Sequence, residues 1–341
     1  MARPTLPQTL WFTRCPVPTA TGIAADLGWF AGEFRGDGIE VRSLQDVPPD
    51  EAGDHHYAHT LPHLVREGGN VPALWARARG ERTRLLGLTW IEERQVILAR
   101  RGETALPLAG RRVAVPRRDI AIDFWRAMAL SGFAGALRDA GGTLADVVPV
   151  DVAAAPDAPQ WDAELAALAR GEVDAVYVKG ALAVEAALAH GAEVAIDLDA
   201  LPDRRARINN GTPRPITVHQ RLLDEHPDLV VRFLTVLLRA SSWAAARPDE
   251  LRRVLAAETG AGGAAVATAY VHQPFDPDLS AERLGLLAEQ ERFLRAQGFL
   301  ADAVDVAAWA DPAPLEAARA AFAAEPSHVD EAVGESVGER T

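Results

Sequence analysis

RRVAVP, at Arg111–Pro116, begins the stretch that decides the fold. It begins a fresh strand–helix alternation and leads to a helical segment over Ile122–Leu137. A strand then reads at Val147–Asp151, a helix at Asp162–Arg170, a strand at Val173–Val178 and a helix at Ala181–His190. AEVAIDL (Ala192–Leu198) closes the block as a strand. Strands alternating with helices make an α/β pattern. Because the block holds a complete strand–helix set, it predicts a second lobe inserted over 105–212.

The flanks supply the other lobe. TLWFTR (Thr9–Arg14) reads as a short buried strand, Cys15-Pro16-Val17-Pro18 as a loop, and Thr19 or Thr21 as the cap of a helix to about Phe34. Strands follow at Ile39–Ser43, Arg84–Trp90 and Gln95–Arg100. After the inserted block, PRPITVH (Pro213–His219) reads as a returning strand, with His219 at its end and His226 before a helix. Amphipathic helices then read at Leu229–Ala246, Leu279–Gln297 and Pro314–Ala324. From Glu325 the composition is polar and acidic, which predicts a disordered tail. The first lobe is thus expected over 1–104 and 213–341. A lobe, an inserted lobe and a helical return is the layout of a two-lobed, type II periplasmic-binding-protein-like α/β fold, with the ligand in the cleft between lobes at the strand ends.

The chain has 341 residues, 48% of them hydrophobic and 24% charged, with a formal net charge of −13. That balance describes a globular protein and argues against a phosphate-backbone partner. The one cysteine excludes an intrachain disulfide. The N-terminus has no apolar run of signal-peptide length, and no window reaches membrane-spanning length free of charge. The expectation is a cytoplasmic monomer that takes a small molecule, with neither nucleic acid nor a membrane as partner.

Asp54–Arg77 carries most of the candidate chemistry. Arg66 precedes Gly68-Gly69, and a helix follows, with Asn70 as a candidate N-cap and Pro72 in the first turn. Two glycines let the backbone approach a ligand, and a helix start offers free N–H groups. Arg66 adds a planar fork suited to a two-oxygen anion, although a solvated arginine at a glycine-rich junction reads equally well. Cys15, in a strand-to-helix turn beside Arg14, is either a buried small hydrophobe or a nucleophile. A histidine partner among His55, His56, His59 and His63 would make it the latter, and an imidazolium there would favour the thiolate. His55, His59 and His63 have helical spacing for a metal, but Pro62 interrupts such a helix, so none is expected. Lys179-Gly180 is either an anion contact or an exposed turn. Arg204, Arg205 and Arg207 before Asn209-Asn210-Gly211 read as a solvated turn.

Taken together, Cys15-Pro16-Val17-Pro18, His56, Pro62 and Arg66-x-Gly68-Gly69 resemble the 2'-hydroxybiphenyl-2-sulfinate desulfinases. The resemblance continues through RTRLLG (Arg82–Gly87), AGRRV (Ala109–Val113), Gly171-x-Val173-Asp174-Ala175-x-Tyr177 and Phe293-Leu294. It implies a cofactor-free enzyme that cleaves an aryl C–S bond and releases sulfite. Cys15 matches the essential cysteine and His56 the histidine beside it. Arg66 matches the arginine that holds the sulfinate, and Gly69 a glycine whose N–H contacts it. Arg14, Leu61 and Lys179 depart from the biphenyl-specific pattern and imply a more cationic pocket for an arylsulfinate or related organosulfur anion. A solute-binding protein for a sulfonate is the alternative of the same fold.

Overall fold

The computed structural model describes residues 5–13, 17–103, 107–155, 158–270 and 273–325. The expected strand end and loop at Arg14, Cys15 and Pro16 lie outside that set, as does the tail from Pro326.

The described residues form ten strands: β1 (Thr9–Thr13), β2 (Glu40–Ser43), β3 (Leu64–Glu67), β4 (Thr83–Thr89), β5 (Gln95–Arg100), β6 (Arg112–Arg117), β7 (Val148–Ala153), β8 (Val176–Lys179), β9 (Ala192–Asp197) and β10 (Arg214–His219). The first sheet has the order β2-β1-β3-β10-β4, with β1 parallel to both neighbours and β10 antiparallel to both of its own. In the second sheet, β5 lies between β8 and β9, while β6 pairs with β7 and touches the β8 edge through Val113 and Ala175. The chain crosses between sheets twice, through residues 90–94 and 198–213, which is the two-lobed, periplasmic-binding-protein-like architecture. One strand moves relative to the expectation. β5 lies before residue 105, yet it pairs with β8 and β9 and so belongs to the second sheet. Its run of apolar residues suits either sheet, and the pairing is decided by partners far along the chain.

Each sheet carries its own core. In the first, Leu10, Val65, Ile23 and Phe30 pack with Phe233, Leu234 and Leu237 of the helix Pro227–Ala246. Phe30 stacks on Phe233 with ring centroids 4.5 Å apart. In the second, Ile97, Val113, Val115 and Tyr177 pack with Phe133 of the helix Phe124–Asp139 and with Trp161. Burial of this kind contributes about 1.5–3 kcal/mol per large apolar side chain, so each lobe has the means to hold its sheet together.

The helix expected after Cys15 begins where its cap predicts. Thr19 accepts from Gly22 N at 2.9 Å, and the helix Ala20–Asp26 follows. It stops short of Phe34 because Gly28, at φ 70°, breaks it before a second helix, Trp29–Phe34.

Candidate functional site

The ends of β1 and β3 and the start of β10 form one edge of the first sheet, where the end of β8 approaches from the second, and β3 provides its centre. Arg66 is fully buried in a strand flanked by β1 and β10. Its Nε donates to the carbonyl of His56 at 2.9 Å and its Nη1 to the carbonyl of Gly69 at 3.0 Å. The fork is therefore braced by backbone on two sides. The chain beyond it needs glycines for steric reasons: a Cβ on Gly68 would stand 2.8 Å from the guanidinium carbon, and one on Gly69 would collide with the Asn210 amide. Thr13 is the register partner of Arg66, and Cys15 follows Thr13 by two residues in the chain.

The helix after the glycines, Asn70–Ala78, starts differently from the sequence expectation. Gly69, not Asn70, is its N-cap. Asn70 is the first helical residue and spends its side chain across the molecule, donating through Nδ2 to the carbonyls of Asn209 (2.6 Å) and Pro213 (2.9 Å). The first amides of the helix are likewise committed. Asn70 N–H donates to the Asn210 carbonyl at 2.6 Å and Val71 N–H to Asn210 Oδ1 at 2.9 Å. Pro72 has no N–H. Of the N-terminal amides expected for an anion, Gly69 N–H is the one with no hydrogen-bond partner among the described residues.

His56 sits on the single helical turn His55–Ala58 above Arg66. Burial and then the Arg66 charge hold its pKa down at about 3. This corrects the expectation of an imidazolium: His56 is neutral near pH 7. Its Nδ1 lies 3.2 Å from Gln45 Nε2, an obligate donor, so Nδ1 accepts and the proton rides on Nε2. The other histidines have separate duties. His59 is buried, with ring nitrogens 3.3 Å from the Leu64 carbonyl and 3.3 Å from Thr217 Oγ1. His55 contacts Thr60 at 2.6 Å, and His63 faces His226.

Two features of the edge were not legible in the sequence. The first is Glu67, which follows Arg66. It is buried, and its Oε2 accepts from both Thr21 N–H (2.9 Å) and Thr21 Oγ1–H (2.6 Å), so it ties β3 to the helix after Cys15. Burial raises its pKa, against the Thr21 bonds and Arg214, which lower it. The second is an aromatic run from the site into the second lobe. His56 meets Tyr57 edge-on at 5.0 Å, Tyr57 stacks on Phe124 at 6.1 Å, and Phe124 leads to Trp125, Trp161 and Tyr177 at 5.1–5.2 Å steps. No local spacing signals such a run, since its members come from four separate segments.

Lys179 is not the exposed turn that was one of its two readings. It is the last residue of β8, 8% exposed, and its Nζ lies 3.1 Å from Glu93 Oε1. Arg214, 2% exposed at the start of β10, bonds the same oxygen. Burial alone would raise the Glu93 pKa, but Arg214 and Lys179 together hold it below the usual carboxylate range. Gly211 lies against all three heads, where a Cβ would clash. The Arg204–Gly211 segment is also not a solvated turn. Arg204 and Arg207 lie over the Trp90 ring, Arg207 pairs with Glu92, and Asn209 and Asn210 are buried.

A buried arginine braced by carbonyls, an N-cap amide and an aromatic surface make the candidate site of a two-lobed, binding-protein-like fold. Comparison with known proteins carries this further. The family model described as NMT1/THI5 like matches residues 102–251. The 2'-hydroxybiphenyl-2-sulfinate desulfinase of Rhodococcus erythropolis is 30% identical, across 89% of this chain and 92% of its own, and that of Rhodococcus qingshengii is equally similar. The chain belongs to this desulfinase family. Among solved structures, the desulfurization enzyme DszB aligns at 26% identity with a TM-score of 0.67, over 92% of this chain and 99% of its own. The periplasmic aliphatic sulphonate binding protein SsuA of Escherichia coli shares the fold at 16% identity, with a TM-score of 0.68 over 98% and 97%.

Proposed function

We propose that this chain is a desulfinase that hydrolyses the C–S bond of an aromatic sulfinate, with Arg66 and Gly69 N–H holding the sulfinate and Cys15 and His56 serving the chemistry. The observation that carries the proposal is Arg66. A guanidinium braced by two carbonyls keeps its charge, lies beside an uncommitted amide, and occurs in a chain related over nearly its whole length to desulfinases. Two coplanar sulfinate oxygens match a guanidinium edge and an N–H better than a single point charge would. Burial strengthens such bonds because water does not compete for them.

The reaction balances with water alone: ArSO2− and H2O give ArH and HSO3−. The ring carbon gains a proton, and sulfur gains a hydroxyl oxygen. In this reading Cys15 meets the sulfinate, either at sulfur or as the proton donor to carbon. His56, neutral with its proton on Nε2, positions by donating a hydrogen bond rather than by carrying a charge. The half-buried rings of Tyr57 and Phe124 offer a surface for the aromatic part of the substrate.

The test is sulfite release from benzenesulfinate and biphenyl-2-sulfinate by the wild type and by Cys15→Ser. Wild type releases sulfite and the variant falls below about a tenth of that rate, since a serine hydroxyl at its ordinary pKa substitutes poorly for a thiol. A variant retaining more than that removes Cys15 from the chemistry. The likeness to SsuA supports a second reading, a sulfonate-binding protein. Binding of these compounds and of alkanesulfonates with no sulfite release would favour it.

A further inference from the structure

Glu67 is hydrogen-bonded to the chain on both sides of Cys15. Before the cysteine, Thr13 Oγ1–H donates to the Glu67 carbonyl at 3.4 Å. After it, Thr21 N–H and Thr21 Oγ1–H donate to Glu67 Oε2 at 2.9 and 2.6 Å. Thr13, Thr21 and Glu67 are each 1% exposed or less, so water does not compete for these bonds. The backbone ladder between β3 and β1 runs out at Thr13, opposite Arg66. Glu67 takes over where the ladder stops and catches the chain again on the helix Ala20–Asp26. Thr21 N–H belongs to the first turn of that helix, which has no acceptor of its own for it, and the Glu67 carboxyl supplies one from a distant strand.

Neighbours on a strand point to opposite faces. Arg66 turns to the carbonyls of His56 and Gly69, whereas Glu67 turns to Thr21. A sulfinate in the proposed anion cradle of Arg66 and Gly69 N–H therefore lies across the strand from the Glu67 carboxyl. Glu67 acts on the reaction through what it holds, and it holds both ends of the segment that carries Cys15. Pro16 and Pro18 stiffen that segment, because each ring fixes a φ angle, so anchoring the ends restricts the cysteine between them.

We infer that Glu67 is a positioning residue that sets Cys15 against a sulfinate held by its chain neighbour Arg66, so that cysteine and anion cradle are both placed from adjacent positions of one strand. The inference rests on the desulfinase reading and adds to it the residue that registers its two halves. A misplacement of about 1 Å at a reacting group costs on the order of 100-fold in rate, while an anion on Arg66 binds wherever the cysteine lies. Loss of the Glu67 carboxyl should thus fall on kcat and spare KM.

The experiment measures kcat and KM for sulfite release from benzenesulfinate in Glu67→Ala, Glu67→Gln, Thr21→Val and Thr21→Ser, with melting temperatures alongside. Glu67→Gln retains a carbonyl oxygen for Thr21, and Thr21→Ser retains the hydroxyl. In Glu67→Ala kcat should fall about 10–100-fold with KM within about threefold of wild type. Thr21→Val should lower kcat about three- to tenfold, the range of one hydrogen bond, and the two conservative variants should stay within about threefold of wild type. Cys15 is the one thiol of the chain, so iodoacetamide reads it separately from turnover. A less firmly anchored segment opens more often, so labelling should speed up about threefold or more in Glu67→Ala and Thr21→Val but not in the conservative pair. An unchanged kcat in both disruptive variants, a KM that rises as far as kcat falls, or conservative variants no better than disruptive ones overturns the inference. Should Glu67→Ala fail to fold, the Thr21 pair decides by the same criteria. If wild type releases no sulfite, the desulfinase reading fails by itself and labelling decides: a rate raised by the disruptive variants and restored by the conservative ones upholds the hold on Cys15, and equal rates reject it.

Discussion

Arg66 and Arg214 lie on adjacent strands, both buried, and are held in opposite ways. Arg66 donates to the carbonyls of His56 and Gly69, whereas Arg214 meets the carboxylate of Glu93. A carbonyl satisfies an N–H and leaves the guanidinium charge in place, while a carboxylate offsets it. The first arrangement suits recognition of an anion that comes and goes. The second ties two sheets together, since Glu93 lies on the crossing between β4 and β5 and its other partner, Lys179, ends β8.

The contrast breaks first at Glu93. Glu93→Ala would leave two buried cations without their shared carboxylate, and removing one partner of a buried pair costs about 3–5 kcal/mol. Urea denaturation measures it, and a loss under about 1 kcal/mol would put the trio among ordinary surface pairs.

Arg66→Lys comes next and sharpens the other half. Lysine keeps the charge but offers no fork, so kcat/KM for an arylsulfinate should fall about 10–150-fold, or roughly 1.5–3 kcal/mol. Sequence alone suggests that such a change spares stability. The two carbonyl bonds say otherwise, and losing one of them should cost about 0.5–1.5 kcal/mol. Kinetics well below both melting temperatures separate the two effects, and near wild-type kinetics would take Arg66 out of the site.

Gly69→Ala probes the ground between the arginines. Its methyl group would collide with the Asn210 amide, and overpacking costs about 1–3 kcal/mol. A lowered melting temperature together with weaker sulfinate turnover is expected, whereas an unchanged melting temperature would mean that the Asn210 loop yields freely.

The smallest effect concerns a buried carboxylate that takes amide bonds instead of guanidinium ones. Asp199 accepts from Gln95 N (3.1 Å) and Nε2 (3.3 Å), and burial lifts its pKa to about 7 despite the Gln95 backbone bond. A pKa raised on folding means that the folded state holds the proton more tightly. Its contribution is whole below about pH 4 and is lost as pH rises to about 7. Asp199→Asn should therefore gain on the wild type across that window and run parallel above it. His56 and His59, both held down at about 3, act in the opposite sense below pH 6.5 and are common to both proteins. Parallel melting curves from pH 4.5 to 8 would mean that Asp199 is solvated.

The architecture and half of the site were legible because they are local. Apolar runs bounded by turn residues marked nearly every strand, and Arg66-x-Gly68-Gly69 is one continuous motif. Glu93 was not legible. It lies in Ile91-Glu92-Glu93-Arg94, between two strands, and its partners come from β8 and β10, far along the chain. The N-cap failed for a related reason, because Asn70 prefers distant carbonyls on 209 and 213 to its own helix start. Pairings that depend on tertiary approach leave no periodic trace in a single chain.

The Asn209–Thr212 loop has a mechanical consequence. It bonds to the first lobe through Asn70, to one inter-sheet crossing through Thr212 Oγ1 and the Ile91 carbonyl (3.0 Å), and to the second lobe through Asn209 Nδ2 and the Met128 carbonyl (3.1 Å). A hinge needs a few residues free to change φ and ψ, and here one of the two crossings is stitched to its neighbours. Any swinging of the lobes is thus pivoted close to the loop, with small displacement beside Gly69 and the widest at the far rim. Under any such swing the proposed anion cradle, close to the pivot, would move least.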